Sequence, residues 1–337
     1  MRRIAARVLL LALSTALCLV LVEQLLRVAG FEYRPMSIEV ASPTDARLFH
    51  LFEDEHFAYD PELIWRPQPG VGVFNRQGFR GPVLEEGKLP GEIRIFALGD
   101  SNTLGWAGQT GPNWPQDLGE MLARLDDRVE VVNAGVWGYS SFQGTLRLRE
   151  ALAFSPDVVL VSFGSNDAHR VRRGDREFAR GSLLGRDSLR RLLHFRTAQL
   201  AAAAWDRVAA GGGELGPRVG LEEYRENLRQ MAAEARAAGA LPVFLTRPFT
   251  GPVNDPGWWK AYGHTYNLAT VEVAAEVGAP VVDLYTIFRE RPDLFSDESH
   301  FTREGHRRAA RVVVQHLVPI LRRETSFRPR PPAPGPG

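Results

Sequence analysis

The sequence contains little cysteine and little lysine. Cys18 is the only cysteine among 337 residues, so neither a disulfide within the chain nor a thiolate metal site can form. Lysine occurs only at Lys88 and Lys260, and arginine supplies nearly all of the 41 basic side chains, which balance 40 acidic ones to a net charge of +1. A chain so close to neutrality gives no reason to expect nucleic acid or an acidic polymer as its partner.

The sequence also lacks the patterns typical of common cofactor sites. No group of histidine, aspartate and glutamate has the spacing of metal ligands, and the loop after the first strand of the predicted sheet has no Gly-x-Gly-x-x-Gly fingerprint with a partnering acid. We therefore predict no metal and no nucleotide cofactor.

The N-terminus carries an export signal. Arg2, Arg3 and Arg7 precede an uncharged apolar run over residues 8–22, and a basic segment ahead of an apolar one directs a chain across the membrane. No Ala-x-Ala site follows closely, so we predict that residues 1–30 remain as a single-pass anchor with the N-terminus inside. Cleavage and secretion are the alternative, and in both cases the remainder lies outside the cytoplasm.

Composition divides the remaining chain into a main domain and its appendages. Residues 31–92 are polar and rich in turns, so we expect an irregular lead-in packed on a main domain over residues 93–322. An insertion over residues 168–217 is predicted to be a helical excursion, either a lid or a solvated helix pair without a role. The Pro-rich residues 323–337 are predicted to be a disordered tail.

Strand-like and helix-like runs alternate from Ile93 onward. The apolar runs that predict strands cover residues 93–98, 129–133, 157–163, 241–246 and 280–284. A last helix is predicted to begin with Thr302 as its N-cap. Alternation of this kind predicts a parallel sheet with helices on both faces. We expect an α/β protein with a flavodoxin-like three-layer α/β/α fold whose five strands have the order 2-1-3-4-5.

Polar clusters follow four of the predicted strands. They are Gly99-Asp100-Ser101-Asn102-Thr103, Asn133 through Ser140, Gly164-Ser165-Asn166-Asp167 and Asp297-Glu298-Ser299-His300. Such residues are common in any loop between a strand and a helix, so each cluster alone is a weak signal. However, parallel strands end at one edge of a sheet, where ligands bind. Together the four clusters supply the groups that an acyl-transfer site needs.

Three side chains of these clusters form a candidate catalytic set. The Ser101 hydroxyl is a poor nucleophile until a base removes its proton, and His300 is of the right type for that base. Asp297 precedes it closely enough to hold the other ring nitrogen and to stabilise the imidazolium. His306 competes with His300, although its position inside the last helix favours an ordinary helix-surface residue.

A negatively charged tetrahedral oxygen needs hydrogen-bond donors that are fixed in advance. The candidate oxyanion-hole donors are the backbone N–H groups of Ser101 and Gly138 and the side-chain amide of Asn166. Gly135 competes with Gly138, which is favoured by its distance from Asn133.

Two further charged residues fall where a substrate would bind. Arg247 follows the fourth strand at the same edge, and Asp167 ends the third cluster, so both are candidate substrate-binding residues. The alternatives are a structural ion pair for Arg247 and a hydrogen bond within its own loop for Asp167.

The four clusters, in this order, resemble the SGNH, or GDSL, hydrolase superfamily over residues 93–320. The resemblance implies a flavodoxin-like fold and a serine esterase or lipase mechanism. By position, Ser101 matches the nucleophile of the family, Gly138 and Asn166 match its oxyanion donors, and Asp297 and His300 match the rest of its triad.

The lead-in carries a second resemblance. Tyr59-Asp60-Pro61 and Asn75-x-x-Gly78-Phe79-Arg80-Gly81 are similar to a segment ahead of the first cluster in membrane-anchored bacterial members of the superfamily. This implies a protein of the bacterial cytoplasmic membrane with an extracytoplasmic catalytic domain.

We therefore predict a serine esterase that hydrolyses short, acetyl-like esters on carbohydrate or lipid through an acyl-enzyme on Ser101. An acylated glycan as substrate rests on family analogy alone. One alternative is transfer of the acyl group to a hydroxyl of an extracytoplasmic polysaccharide. Another is a non-catalytic carbohydrate-binding or scaffold protein.

Overall fold

The structure is a computed structural model. It describes residues 2–33, 38–41, 46–49, 56–60, 62–85, 87–105, 111–171, 174–181, 192, 194–209, 216–250 and 258–330. The strands are β1 (Ile38–Ala41), β2 (Ala46–Phe49), β3 (Phe57–Asp60), β4 (Ile64–Pro67), β5 (Ile93–Gly99), β6 (Val129–Asn133), β7 (Val158–Ser162), β8 (Arg170–Val171), β9 (Gly216–Pro217), β10 (Leu241–Leu245) and β11 (Val281–Val282). The helices are α1 (Arg2–Val28), α2 (Ser101–Leu104), α3 (Trp114–Leu125), α4 (Ser141–Leu152), α5 (Asp175–Gly181), α6 (Arg196–Ala209), α7 (Leu221–Ala237), α8 (Trp258–Glu276), α9 (Leu284–Phe288), a 3-10 turn (Pro292–Leu294) and α10 (Arg303–Glu324).

The core of the molecule is a five-stranded parallel sheet. Its strand order is β11-β10-β7-β5-β6, which is 2-1-3-4-5 when these five strands alone are numbered along the chain, as predicted. All seven residues of β5 are buried, and β6 and β7 pair with it in parallel on its two sides. The turn at Ser101 therefore follows an interior strand of the sheet.

Side chains of β5 alternate between the two faces of the sheet, and helices cover both faces. Phe96 and Leu98 belong to an apolar cluster that α4, α7 and α8 complete. Ile93, Ile95 and Ala97 belong to the opposite cluster, which α3 and α10 complete. A strand covered on both faces must be apolar along its length, which is why the sequence pattern predicted it. The three-layer α/β/α architecture is confirmed.

Side chains cap the two helices that cover the second face. Asn113 Oδ1 accepts a hydrogen bond from Gln116 N at 3.1 Å at the start of α3. Thr302 Oγ1 accepts one from Gly305 N at 3.1 Å at the start of α10, as predicted. Each bond satisfies a backbone N–H that the first turn of a helix leaves without a partner.

The lead-in is more regular than predicted. β3 and β4 form an antiparallel hairpin, and β1 pairs with β2 in the same way. Trp65 and Phe79 are buried in the same apolar cluster as Phe96, so this segment packs on the sheet domain. Strands of four residues alternate too briefly to be distinguished from turn residues in the sequence.

The predicted insertion begins and ends in a short antiparallel ribbon of β8 and β9. Between them lie α5 and α6. α6 packs against α1, whose residues Ala6–Val28 are long and apolar enough to cross a membrane by length and composition.

The prediction of disorder over residues 323–337 is wrong for residues 323–330, the part of the tail that the structure describes. After α10 the chain returns along the end of α3, where Phe327 is fully buried and Arg330 N donates to Leu125 O at 2.7 Å. Burial of an aromatic ring offsets part of the entropy lost by ordering the chain. Residues 331–337 lie outside the described residues.

Candidate active site

Ser101 is the first residue of α2, after a single residue that follows β5. That residue, Asp100, caps the helix, and its Oδ1 accepts a hydrogen bond from Asn102 N at 2.9 Å. Ser101 is only 5 % exposed. The sharp change from strand to helix thus places the hydroxyl at the carboxyl edge of the sheet, close to backbone N–H groups of the first helical turn.

The side chains of Ser101, His300 and Asp297 form a hydrogen-bonded chain. Ser101 Oγ lies 2.8 Å from His300 Nε2, and His300 Nδ1 lies 2.7 Å from Asp297 Oδ2. The other oxygen of Asp297 accepts hydrogen bonds from the backbone N–H groups of Ser299 and His300, each at 2.8 Å. The carboxylate therefore orients the ring so that Nδ1 donates to it and Nε2 faces the serine hydroxyl.

The carboxyl of Asp297 is held in its ionised form. Partial burial acts to raise its pKa, but the hydrogen bond and charge of His300, together with two backbone N–H groups, lower the pKa to about 2. The side chain is 53 % exposed, so water reaches the outer end of this hydrogen-bonded chain. An ionised carboxylate in this position stabilises a protonated imidazole at neutral pH.

Hydrogen bonds bring the four clusters to the same edge of the sheet. Gly99 O accepts a bond from Val136 N at 3.0 Å, and Gly99 is the partner of Ser162 in the register of β5 and β7. Phe301 N donates to Asn102 Oδ1 at 3.3 Å and joins the last cluster to the first. The expectation that these distant segments meet rested on parallel strands ending together, and the structure brings them together.

Gly138 and Asn166 lie on the second and third of these loops. Gly138 has φ +73°, and a Cβ added there would lie 3.1 Å from the Trp65 ring, so the turn favours glycine. Asn166 Nδ2 donates to Tyr139 O at 3.0 Å, which ties the third loop to the second. Among the residues that the structure describes, none accepts a hydrogen bond from the backbone N–H of Ser101 or Gly138.

Hydrogen bonds decide between the competing glycines and histidines. Gly135 N donates to Asn133 Oδ1 at 2.9 Å, so its N–H is occupied. His306 is buried rather than on the helix surface, and its Nδ1 accepts a bond from Trp114 N at 3.3 Å. Burial, and then the charge of Arg303, lowers the pKa of His306 to about 3. Neither residue is available for the reaction.

Arg247 does not line the site, and the prediction of a substrate contact is wrong for it. The residue is 2 % exposed, and its Nε lies 2.7 Å from Asp100 Oδ2. Its Nη1 donates to Ser299 O at 2.8 Å. Because it bonds the residue before Ser101 and the residue before His300, Arg247 fixes the two loops relative to each other.

Asp167 is also misassigned as a substrate contact, since it is fully buried. Its Oδ1 accepts a hydrogen bond from Ser141 N at 2.8 Å, and its Oδ2 accepts one from Gly164 N at 3.0 Å. Burial raises the pKa of this carboxyl to about 7, although the bonds from Ser141 and the charge of Arg218 act to lower it. The carboxyl therefore holds the loop that carries Asn166.

Two arginines that support the site were missed by the sequence analysis. Arg218 Nη1 donates to Gly138 O at 2.8 Å, while its Nη2 lies 2.7 Å from Asp175 Oδ2. Arg80 Nη1 donates to Leu104 O at 2.8 Å and so holds the end of α2. Arg80 lies in the lead-in motif already singled out, whereas no local pattern marks Arg218.

The groups at this edge are a hydroxyl, an imidazole, a carboxylate and N–H donors, which suit acyl transfer. Within the described ranges, no group of three or more His, Cys, Asp or Glu side chains is placed to hold a metal ion. His306 and His316 bond elsewhere, to the N–H of Trp114 and the carbonyl of Val312.

The protein has a flavodoxin-like sheet, and a serine, a histidine and a carboxylate are linked by hydrogen bonds at its edge. This combination defines the class of serine ester hydrolases. A family model described as the GDSL-like lipase/acylhydrolase family matches residues 97–308. The chain belongs to this family, and the superfamily resemblance drawn from the four clusters is confirmed.

Relatives and solved structures show more distant similarity. The chain is similar to the GDSL esterase/lipase WDL1 of Oryza sativa subsp. japonica, with 29 % identity over 136 residues, or 35 % of this chain and 50 % of the rice protein. It is 22 % identical over 263 residues to the GDSL esterase/lipase CPRD49 of Arabidopsis thaliana, covering 71 % of this chain and 82 % of that protein. The solved lipase/acylhydrolase from Enterococcus faecalis superposes with a TM-score of 0.48 and 22 % identity, covering 72 % of this chain and 100 % of that one. The match thus spans about half the length of the rice relative.

Proposed function

We propose that the protein is a serine esterase that hydrolyses short acyl esters through an acyl-enzyme on Ser101. The observation that carries this proposal is the chain of bonds from Ser101 Oγ to His300 Nε2, at 2.8 Å, and from His300 Nδ1 to Asp297 Oδ2, at 2.7 Å. These distances are those required for a nucleophile, its base and the group that orients the base.

Acylation begins with the proton of the Ser101 hydroxyl. His300 Nε2 takes this proton as Oγ attacks the ester carbonyl, and the Asp297 carboxylate stabilises the resulting imidazolium. The negative oxygen of the tetrahedral intermediate accepts hydrogen bonds from the N–H groups of Ser101 and Gly138 and from the second amide N–H of Asn166. Collapse expels the alcohol, which receives the proton from His300.

Deacylation repeats these steps with water. His300 removes a proton from a water molecule that attacks the acyl carbonyl, and the same donors bind the second tetrahedral oxygen. The intermediate releases Ser101 Oγ, which recovers its proton from the imidazolium, and the carboxylic acid leaves. The kinetics are therefore ping-pong, with an accumulating acyl-enzyme wherever deacylation is the slower step.

The substrate class in this proposal is a short, acetyl-like ester on carbohydrate or lipid. The short acyl group in this proposal rests on the resemblance of the four clusters to the superfamily. The names of the rice and Arabidopsis relatives, esterase/lipase, support an ester as substrate.

The proposal also places the protein in the bacterial cytoplasmic membrane. α1 contains one apolar stretch of spanning length, Ala6–Val28, and Arg2 and Arg3 precede it. Because basic residues stay on the cytoplasmic side, the N-terminus lies inside and the sheet domain outside. A signal peptide of the same composition would pass the same test, and the chain would then be secreted.

The test uses the full-length protein in detergent micelles with p-nitrophenyl esters of increasing acyl length. We expect the acetyl ester to be cleaved fastest, with an initial burst of p-nitrophenol. Ser101→Ala should lower turnover by about 10⁴-fold or more, with an unchanged melting temperature. Equal rates for the wild type and Ser101→Ala would contradict the proposal and favour the non-catalytic alternative.

An added glycan distinguishes hydrolysis from acyl transfer. In the proposed reaction, acetate appears in solution at the same rate with and without the glycan. Formation of acetylated glycan at the expense of free acetate would contradict the esterase and favour the transferase. The two activities differ only in the acceptor that attacks the acyl-enzyme.

A further inference from the structure

An exposed apolar face runs along α6. Leu200, Trp205 and Val208 are 42 %, 48 % and 76 % exposed, and Ala201 and Ala204 between them are exposed as well. Members of this set that are three or four residues apart, such as Leu200 and Ala204 or Ala204 and Val208, are neighbours on the helix surface, so the set lies on one side of the helix. The partly or fully buried residues Gln199, Ala202 and Ala203 lie on the other side. An exposed apolar face of this kind marks an interaction surface.

Glu23 of α1 fixes the start of α6. Thr197 N and Thr197 Oγ1 donate hydrogen bonds to Glu23 Oε2 at 2.9 and 3.1 Å, so a carboxylate of one helix caps the N-terminus of the other. Glu23 is 8 % exposed, and its second oxygen binds Arg27 Nε at 2.8 Å.

The residues just after α1 contact the same turn of α6. Tyr33 N donates to Gln199 Oε1 at 3.1 Å, and Arg196 Nη1 lies 3.0 Å from Glu32 Oε1. These contacts, with the cap at Glu23, bind the outer end of α1 to α6. Cleavage near residue 30 would remove the cap of α6, so the contacts favour an anchor that stays attached.

The position of Glu23 along α1 gives its depth in a bilayer. A helix rises about 1.5 Å per residue, so Glu23 lies about 30 Å beyond Arg3 along the axis. The hydrocarbon core is about 30 Å thick, so with the basic segment Arg3 to Arg7 at the inner boundary, Glu23 lies within about one helical turn of the outer one. The first turn of α6, which Glu23 caps, is then at the outer lipid–water boundary.

We propose that α6 lies in the outer interface of the membrane, with the face formed by Leu200, Ala201, Ala204, Trp205 and Val208 among the lipids. This rests on the membrane anchoring given above as part of the proposed function. An amphipathic helix in that plane buries its apolar side at the boundary of headgroups and acyl chains. Tryptophan is typical of this boundary, and α6 packs against α1.

The experiment places fluorescent probes on the full-length protein in vesicles of phosphatidylcholine and phosphatidylglycerol. Cys18→Ser removes the natural cysteine, and bimane is attached after Leu200→Cys or Val208→Cys. The matched control is Leu268→Cys on α8, which is 50 % exposed on the sheet domain. Phospholipids with a nitroxide at a shallow acyl carbon quench only probes that touch lipid.

We expect quenching at positions 200 and 208 to be at least threefold stronger than at 268. Equal quenching at the three positions would overturn the proposal. Energy transfer between labelled copies that persists on dilution with lipid, with quenching as weak as at 268, would assign the face to a second copy of the chain and overturn it too.

Glu23→Ala tests the cap. It should reduce quenching at position 200 towards the value at 268, whereas Ser14→Ala, whose hydroxyl donates to Leu11 O in its own helix, should leave quenching unchanged. Unchanged quenching after Glu23→Ala would contradict the role of Glu23.

Two readouts on the same samples keep this inference separate from the esterase. An intact mass that includes residues 1–30 is expected, and its absence would overturn both the anchor and the interfacial helix. Labelling of Ser101 by a fluorophosphonate depends on the catalytic set alone. Labelling without quenching contradicts the interfacial helix only, and quenching without labelling contradicts the esterase only.

Discussion

Arginine forms two kinds of ion pair in this protein, one inside the sheet domain and one on its helical surface. Arg247 lies 2.7 Å from Asp100, and the two side chains are 2 % and 1 % exposed. Arg229 of α7 lies 2.9 Å from Glu276 of α8, with 33 % and 53 % exposed. The distances are nearly equal, so the surroundings decide what each pair does.

The buried pair has an organising role that the surface pair lacks. Removing one member of a buried pair leaves an uncompensated charge in a medium of low polarity, whereas water and salt screen a surface pair. Arg247 also binds Ser299 O, so its loss would release the loop of His300 as well as Asp100. Arg229 instead bonds Glu222 and Glu276 on the exposed surfaces of α7 and α8.

Arg247→Met is expected to give the largest effect. Breaking a buried pair costs about 3–5 kcal/mol of stability, which denaturant titration measures. Because Arg247 positions both loops and does not touch substrate, kcat should fall while KM changes little. A raised KM with an unchanged kcat would instead restore the substrate contact predicted from sequence.

Arg247→Lys is the matched variant if the methionine variant is too unstable to assay. It keeps the charge but cannot bind Asp100 and Ser299 with the same planar group. We expect a smaller loss of stability and still a loss of kcat, so full activity of the lysine variant would contradict the positioning role.

Asn166→Ala distinguishes a residue that binds the oxyanion from residues, such as Arg247, that only position the loops of the site. Loss of one oxyanion donor raises the barrier by about 2.7–4 kcal/mol, so kcat should fall about 10²–10³-fold. Stability should change far less than in Arg247→Met, since Asn166 makes one bond to Tyr139 O. A fall in kcat of less than threefold would remove Asn166 from the oxyanion hole.

Asp167 is a buried carboxyl held by backbone N–H groups, and its contribution to the free energy of unfolding should depend on pH. Burial raises its pKa from 3.8 to about 7, so between these values the folded state binds a proton that the unfolded state releases. Its contribution to stability is therefore present at low pH and is lost as pH rises, by about 2 kcal/mol between pH 5 and pH 7.

Asp167→Asn mimics the protonated carboxyl and should flatten this part of the profile. The test measures the free energy of unfolding of the wild type and of Asp167→Asn at pH 5, 6 and 7 and compares how the two change with pH. Parallel profiles would contradict the raised pKa.

Arg229→Met should have the smallest effect. Exposed pairs contribute about 0–1 kcal/mol, so the denaturation midpoint and kcat should both stay close to those of the wild type. A loss as large as that of Arg247→Met would remove the distinction between the buried and the surface pairs.

The sheet and the meeting of Ser101 with His300 could be predicted from sequence because each depends on a local signal. Buried strands are continuous apolar runs, and parallel strands end at one edge. The cap at Thr302 is a local signal too.

Other features depend on partners that no local pattern identifies. Arg247 and Asp100 are 147 residues apart, and an arginine after a strand is equally compatible with a substrate contact and an internal pair. Arg218 beside Gly138 and the cap of α6 by Glu23 are of the same kind. Short hairpins such as β3–β4 give too few residues for an alternation to be recognised.

Covalent labelling by a fluorophosphonate tests most directly whether Ser101 is a nucleophile activated by His300. The measurement gives the residue that is labelled and the effect of each substitution on the labelling rate. The full-length wild type, Ser101→Ala, His300→Ala and Arg247→Lys would be labelled in parallel and the adduct located by peptide mass. We expect one adduct, on Ser101, with no labelling of Ser101→Ala and very slow labelling of His300→Ala. An adduct on another residue, or equal labelling of the wild type and His300→Ala, would contradict this expectation.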